Sequence, residues 1–187
     1  MCIFIEYEVL KMKKIISCIF LCILFSCDSY QREIKKIINE WSGKEIVFSD
    51  LDMKIMGRDT CVLNAVNYKY KILTYIDTIG CTACRLKLFD WNVFLKELKP
   101  FSQKVCFLFV IHSNDYDEFE IIQRKNRFFY PVYYDYNGKL KEMNKFPDNP
   151  NFQTFLLDKD NKVVVIGNPI TNDKVRQIYM NVIQKGL

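Results

Sequence analysis

From residue 70 onward, apolar runs of strand length alternate with apolar stripes of helical spacing. Residues 70–76 (YKILTYI) predict a strand, and residues 81–99 a helix ended by Pro100, with Leu88, Trp91, Leu95 and Leu98 at steps of three, four and three. Residues 105–111 are seven apolar positions in a row, the pattern of a strand covered on both faces in a parallel sheet. Residues 115–127 suit a helix with Asp115 as its cap. Residues 131–135 predict a further strand ended by Asn137-Gly138, and residues 140–146 a short helix. Residues 152–157 and 162–166 flank Asp158-Lys159-Asp160-Asn161 as the arms of a hairpin. Residues 172–184 form a last helix, with Val175, Ile178, Tyr179, Val182 and Ile183 on its apolar side. Helical crossovers demand parallel strand pairs and the hairpin an antiparallel one. The expected fold class is therefore α/β, a mixed central sheet with helices on both faces.

The first third is less regular. Residues 28–42 read as an exposed helix or tether, with Ile34, Ile37, Ile38 and Trp41 at helical spacing and Gly43 as the stop. Between residues 44 and 67 the apolar runs Ile46-Val47-Phe48 and Cys61-Val62-Leu63 predict strands of a hairpin or sheet edge. Ahead of these, Lys11, Lys13 and Lys14 precede an apolar run over residues 15–25, then Ser26 and Cys27. That run falls short of the roughly 20 residues a bilayer span needs. A basic start, a short apolar stretch and a small residue are the parts of a secretory signal. An uncleaved, partly buried helix is the alternative, and it sits badly with the abrupt polar stretch from Asp28 to Glu33. Leu24-Phe25-Ser26-Cys27 resembles the lipobox of bacterial lipoproteins, which implies acylation of Cys27 and a lipid anchor in a membrane. Met12-Lys13-Lys14 has the form of a start, so Met12 is the expected initiator. The expected organisation is a signal peptide over 1–26, a lipidated terminus and tether over 27–44, and one domain with an N-terminal strand extension over 45–187.

Composition narrows the partners. The 187 residues are 50% hydrophobic and 26% charged, enough for one full core and short for two. A net charge of +5 is modest, and the basic residues are scattered among acidic ones, which argues against a nucleic-acid partner. Of the eight cysteines, Cys2, Cys18 and Cys22 would leave with the signal, and Cys27 would carry lipid. Cys61, Cys81, Cys84 and Cys106 remain, too few for a disulfide scaffold in a compartment where disulfides persist.

Two of those four are three residues apart, in Cys81-Thr82-Ala83-Cys84, between a predicted strand and the start of a predicted helix. Free N–H groups and the dipole at a helix start favour a thiolate, the reacting form of cysteine. The stripe of Leu88, Trp91, Leu95 and Leu98 extends back to Cys84, placing it on the inner face and Cys81 nearer solvent. Cys81 would attack a partner's disulfide and Cys84 would resolve the mixed disulfide. Arg85 either adds positive potential or is a solvated surface residue. A permanent structural disulfide is an alternative, as is half of a zinc site, which needs four ligands. His112, Cys61 and Cys106 form no recognisable second pair. Cys106 reads as a core residue, and Cys61 has no assigned role. No cofactor is called for.

At this point the chain resembles the thioredoxin-like superfamily, and within it the redoxin-type and cytochrome-maturation thiol–disulfide oxidoreductases of the periplasm and related anchored lipoproteins. The resemblance covers roughly residues 70–187. It rests on KILTYI before Gly80-Cys81-Thr82-Ala83-Cys84, on Tyr130-Pro131-Val132 before Asn137-Gly138-Lys139, and on TFLLD before Lys162-Val163-Val164-Val165. It implies a three-layer thioredoxin-like sandwich, reversible dithiol chemistry at Cys81 and Cys84 with protein disulfides or dithiols, and a place in the envelope of a Gram-negative bacterium, facing the periplasm or exposed at the surface. Four positions depart from the family pattern. Gly80 replaces a tryptophan, and Ala83 a frequent proline. Phe152 stands where the family has its cis-proline, and Tyr75 where it often has a buried acid. These leave the rate, potential and partner of the dithiol open. Two rival functions follow: a thiol peroxidase, since Thr78-Ile79-Gly80-Cys81 has a Thr-x-x-Cys spacing, and a non-catalytic anchored module stapled by a structural disulfide. The tyrosine-rich stretch 128–134 is either a recognition surface for such a module or strand packing.

Overall fold

The computed structural model describes residues 30–48, 51–59, 68–77 and 86–186. The signal over 1–26, Cys27, Cys61, Gly80, Cys81, Thr82, Ala83, Cys84 and Arg85 lie outside the described residues. The chain divides into two compact units, 1–40 and 41–187. Residues 30–41 are helical (α1), and within the first unit that helix exposes Tyr30 and Ile38. All that follows concerns the second unit, which begins at the buried Trp41.

Among the described residues, seven strands form one sheet in the order β2-β1-β5-β4-β3-β6-β7. They are β1 (Asp52–Ile55), β2 (Arg58–Asp59), β3 (Tyr70–Asp77), β4 (Val105–His112), β5 (Val132–Tyr134), β6 (Thr154–Leu157) and β7 (Val163–Ile166). The helices after α1 are α2 (Leu88–Leu98), α3 (Tyr116–Lys125), α4 (Lys139–Asn144) and α5 (Asp173–Lys185). The pairs β3–β4 and β4–β5 are parallel; β3–β6, β6–β7, β5–β1 and β1–β2 are antiparallel.

Register explains why the central strands are apolar throughout. Tyr70, Ile72, Thr74 and Ile76 of β3 sit opposite Val105, Phe107, Phe109 and Ile111 of β4, and together they point to one face. Lys71, Leu73, Tyr75 and Asp77 sit opposite Cys106, Leu108, Val110 and His112 and point to the other. Both faces are covered, so alternation with polar residues disappears.

The first face carries α2, α3 and α5. Trp91 of α2 lies 5.0 Å from the Phe107 ring and packs edge-on to Phe109; Phe119 of α3 meets Tyr134; Tyr179 of α5 is fully buried in the same cluster. Steps β3→α2→β4 and β4→α3→β5 move the same way across the sheet, and crossovers of one hand then put both helices on one side. The second face carries Trp41 and α4: the Trp41 ring lies 5.0 Å from that of Phe155, and Phe146 contacts Trp41, Tyr75 and Phe155. Helices on both faces make this a three-layer α/β sandwich.

Several boundaries differ from the sequence reading. The N-terminal hairpin uses Asp52–Ile55 and Arg58–Asp59, turning at Met56-Gly57 with φ of 54° and 77°. Ile46 instead is a buried residue of a segment that hydrogen-bonds beside β7, through Ile46 N to the Asn161 carbonyl at 2.9 Å. Leu86 is helical, but Lys87 adopts a left-handed conformation with φ 42°, so α2 begins at Leu88. The stripe Leu88, Trp91, Leu95 and Leu98 is buried as expected. Phe152 belongs to a 3-10 turn, Pro150–Phe152, and β6 starts at Thr154. Ile178 of α5 is exposed, whereas Tyr179 and Ile183 are buried. Asp115 does cap α3, accepting the Glu118 amide, and Asn172 caps α5 through the amides of Lys174 and Val175.

Candidate functional site at the carboxyl ends of the central strands

In open α/β sheets, chemistry gathers where parallel strands end at their carboxyl edge. β3, β4 and β5 all end on the same edge, and β3 runs there directly into residues 78–85. Asp77, the last residue of β3, is four positions before Cys81.

The described part of this edge is polar and ordered by hydrogen bonds. Asp135, buried just after β5, accepts the Lys139 amide at 2.9 Å and the Leu140 amide at 3.0 Å, closing the first turn of α4. The Tyr75 hydroxyl donates to the same carboxylate at 3.2 Å. Burial, then the neighbouring Asp135 charge, push the Tyr75 phenol well above its ordinary range, so it stays a neutral donor. His112, the last residue of β4, bonds the Asp135 backbone carbonyl through Nδ1 at 2.7 Å. A carbonyl only accepts, so Nδ1 carries the proton. Gly138 packs over the other side of that ring: its φ is +66°, and a Cβ there would come within 3.4 Å of His112 Nε2. Asp77 pairs with Lys141 of α4 at 3.1 Å. Tyr75, Asp77, His112, Gly138 and Lys141 line an open cavity of about 580 Å³ beside Lys145 and Phe146.

Phe152 is also brought to this edge. The Tyr75 amide donates to the Gln153 carbonyl at 2.9 Å, continuing the β3–β6 ladder by one residue beyond Thr74 and Thr154. Phe152 therefore lies alongside the end of β3. Every described peptide bond is trans. The hydroxyls of Thr74 and Thr154 bond each other at 2.9 Å on the first face, tying the two strands beneath that edge.

Cys106 is distant from this edge, near the start of β4. It is a free, buried thiol, as its place in an apolar run predicted, and burial pushes it up to about 12, with Lys71 opposing. Lys71 itself is 3% exposed and donates to the Asp158 and Lys159 carbonyls and to Asn161 Oδ1 at 3.3, 2.8 and 2.8 Å, clamping the β6–β7 turn. Burial lowers its ammonium pKa. Of the tyrosine-rich stretch, Phe128, Val132 and Tyr134 are core, whereas Phe129 is exposed. Among the described residues no group of His, Cys, Asp or Glu is arranged to hold a metal.

Sequence reasoning overlooked Asp135, Asp77 and Lys141 and gave His112 no role here. Their one signal was positional: Asp77 and His112 are the polar residues that end two apolar runs in register.

The fold matches solved structures of the thioredoxin class. A protein described as the thiol:disulfide interchange protein DsbE of Chlorobium tepidum superposes with a TM-score of 0.60 at 15% identity, covering 76% of this chain and 97% of that one. The thioredoxin domain of a thiol-disulfide oxidoreductase from Bacteroides vulgatus gives 0.53 at 15% identity, covering 73% and 96%. The Xanthomonas campestris bacterioferritin comigratory protein, studied for alkyl peroxide reduction, gives 0.52 at 13% identity, covering 73% and 91%. No protein-family model and no curated protein matches the sequence. At these identities the likeness establishes the fold alone: the chain has a thioredoxin-like α/β fold.

Proposed function

We propose that this protein is an envelope-located thiol–disulfide oxidoreductase, anchored by lipid at Cys27 and acting through Cys81 and Cys84. The observation that carries the reading is the position of the Cys-x-x-Cys pair. In the sequence it lies between the end of β3 and the start of α2, in a chain whose fold superposes on that of a solved thiol:disulfide interchange protein.

In the proposed cycle, the Cys81 thiolate attacks one sulfur of a partner's disulfide. A mixed disulfide forms and the partner's other sulfur leaves as a thiolate. The Cys84 thiolate then attacks the Cys81 sulfur, and the second partner thiolate departs. The partner gains two electrons, the Cys81–Cys84 pair loses two, and the reverse sequence oxidises a partner dithiol. Gly80, Thr82, Ala83 and Arg85 would shape the pair's surroundings, and Phe152 would supply the apolar flank at the end of β3. Signal cleavage before Cys27 would deliver the domain to a compartment where exported thiols meet disulfides.

Thiol trapping across a glutathione series, with an insulin-reduction assay on wild type and Cys81→Ala, tests this. The expectation is exchange activity that Cys81→Ala abolishes. A potential below about −300 mV together with no exchange would instead mark a structural staple and overturn the reading. Peroxide consumption that depends on Cys81 and outpaces disulfide exchange would replace it with a peroxidase. Fatty-acid labelling should mark wild type and not Cys27→Ala; labelling of neither removes the anchor.

A further inference from the structure

The outer surface of α2 and the loop after α3 enclose a groove of about 680 Å³ whose floor and walls include Phe89, Val93 and Phe129. Phe89 and Phe129 are 69% and 66% exposed, the two most exposed large apolar side chains among the described residues. Ile121, one helical turn before the groove-lining Lys125, is exposed as well. Scattered apolar residues on a surface are ordinary, but two phenyl rings facing one concavity form a contiguous patch of the kind that marks contact sites.

The loop holds Phe129 outward by construction. Arg127 ends α3 in a left-handed conformation (φ 50°), and the Phe128 amide reaches back to the Gln123 carbonyl at 3.1 Å. Asn92 of α2 donates to the Asn126 carbonyl at 3.0 Å, stitching the loop to the opposite wall. Phe128 is fully buried, which leaves its neighbour pointing to water. A groove fixed this way loses little freedom when a ligand enters.

Charge selects the occupant. Lys96, Lys125 and Arg127 line the groove, and none of them forms an ion pair with a described carboxylate. A second copy of this chain, docked symmetrically, would set these cations against their own equivalents. An acidic segment would pair with all three while its apolar side chain filled the space between the rings. The concave shape suits an extended chain better than a flat lipid surface.

We propose that this groove is a docking site for an acidic segment of a partner protein, anchored by an aromatic or large aliphatic side chain between Phe89 and Phe129. The inference concerns binding alone, so it stands or falls separately from the thiol chemistry. Fluorescence anisotropy with the full chain in mild detergent tests it, using dye-labelled peptides in which a Phe-Leu pair is flanked by Asp and Glu, by Lys, or replaced by Ser-Ser between acids. The acidic Phe-Leu peptide should bind saturably, and the other two about tenfold or more weaker. Phe129→Ser should weaken it by a similar factor, and Lys125→Glu with Arg127→Glu should shift preference to the Lys-flanked peptide. All three positions are exposed, so folding should survive, checked by circular dichroism. Equal binding of acidic and basic peptides, or indifference to these substitutions, would overturn the proposal. So would retention on phosphatidylglycerol-doped micelles, abolished by the same charge reversal, with no saturable peptide binding; that result would assign the groove to an anionic lipid surface.

Discussion

The two faces of the sheet are built by different physics. On the first, Trp91, Phe94, Phe109, Phe119, Phe128 and Tyr179 interlock under three helices, and the helices' amphipathic stripes suffice to hold them there. On the second, an aromatic cluster of Trp41, Tyr75, Phe146 and Phe155 shares the interior with Lys71, Asp135 and Asn144, each buried and multiply hydrogen-bonded. Those polar groups hold elements that lack a strong apolar stripe of their own. Asn144 donates to the Val47 carbonyl at 2.8 Å and accepts the Val47 amide at 2.9 Å, Asp135 closes the start of α4, and Lys71 clamps the β6–β7 turn. The first face is therefore sensitive to lost volume, and the second to lost partners.

Substitutions should separate the two modes. Trp91→Ala empties a site 1% exposed on the first face and should cost about 3–5 kcal/mol in urea unfolding, with little recovery from any polar replacement. Asp135→Leu keeps the second face apolar but strands the Tyr75 hydroxyl and two amides. A loss of about 2–3 kcal/mol is expected, and Asp135→Asn should recover part of it. Lys71→Met preserves the buried stem and removes three donors whose acceptors lie near the surface. Its expected cost is about 1–2 kcal/mol, with faster amide exchange confined to residues 158–162.

One further effect is a pH dependence. Unfolded Cys106 ionises near 9.0 and folded Cys106 near 12, so between those values the folded state keeps a proton that the unfolded chain has lost. Stability should fall as pH rises through that window, and the fall should be shallower in Cys106→Ala. An equal slope in both would show that the thiol is not the group responsible.

Much of the fold was legible because each signal was local. Asp115 was a recognisable cap, the apolar run 105–111 announced a strand covered twice, and Asp158 to Asn161 announced a turn. The errors fell where local pattern meets tertiary constraint. Ile46-Val47-Phe48 looks like a strand, yet its central residue is spent on a side-chain partner nearly a hundred positions away. The polar strand DMKI of β1 looks unpromising, yet it pairs with β5 one strand in from the sheet edge, where Met53 is buried. Lys87 gave no warning that it would break the helix, because a left-handed lysine is fixed by its surroundings and not by its own preference.

By itself the sequence determined the succession of strands and helices, the parallel core, and the chain position of Cys81-Thr82-Ala83-Cys84 after the end of β3. Apolar periodicity and chain adjacency are properties of neighbours along the chain, so they can be read there. Only the tertiary structure decided that Tyr75, Asp77, His112, Asp135 and Lys141 meet at one edge. It also decided that Phe129 turns outward into a basic groove while Phe128 turns inward. Those outcomes depend on strand register and on which helix covers which face, and both are set by packing between residues far apart in sequence.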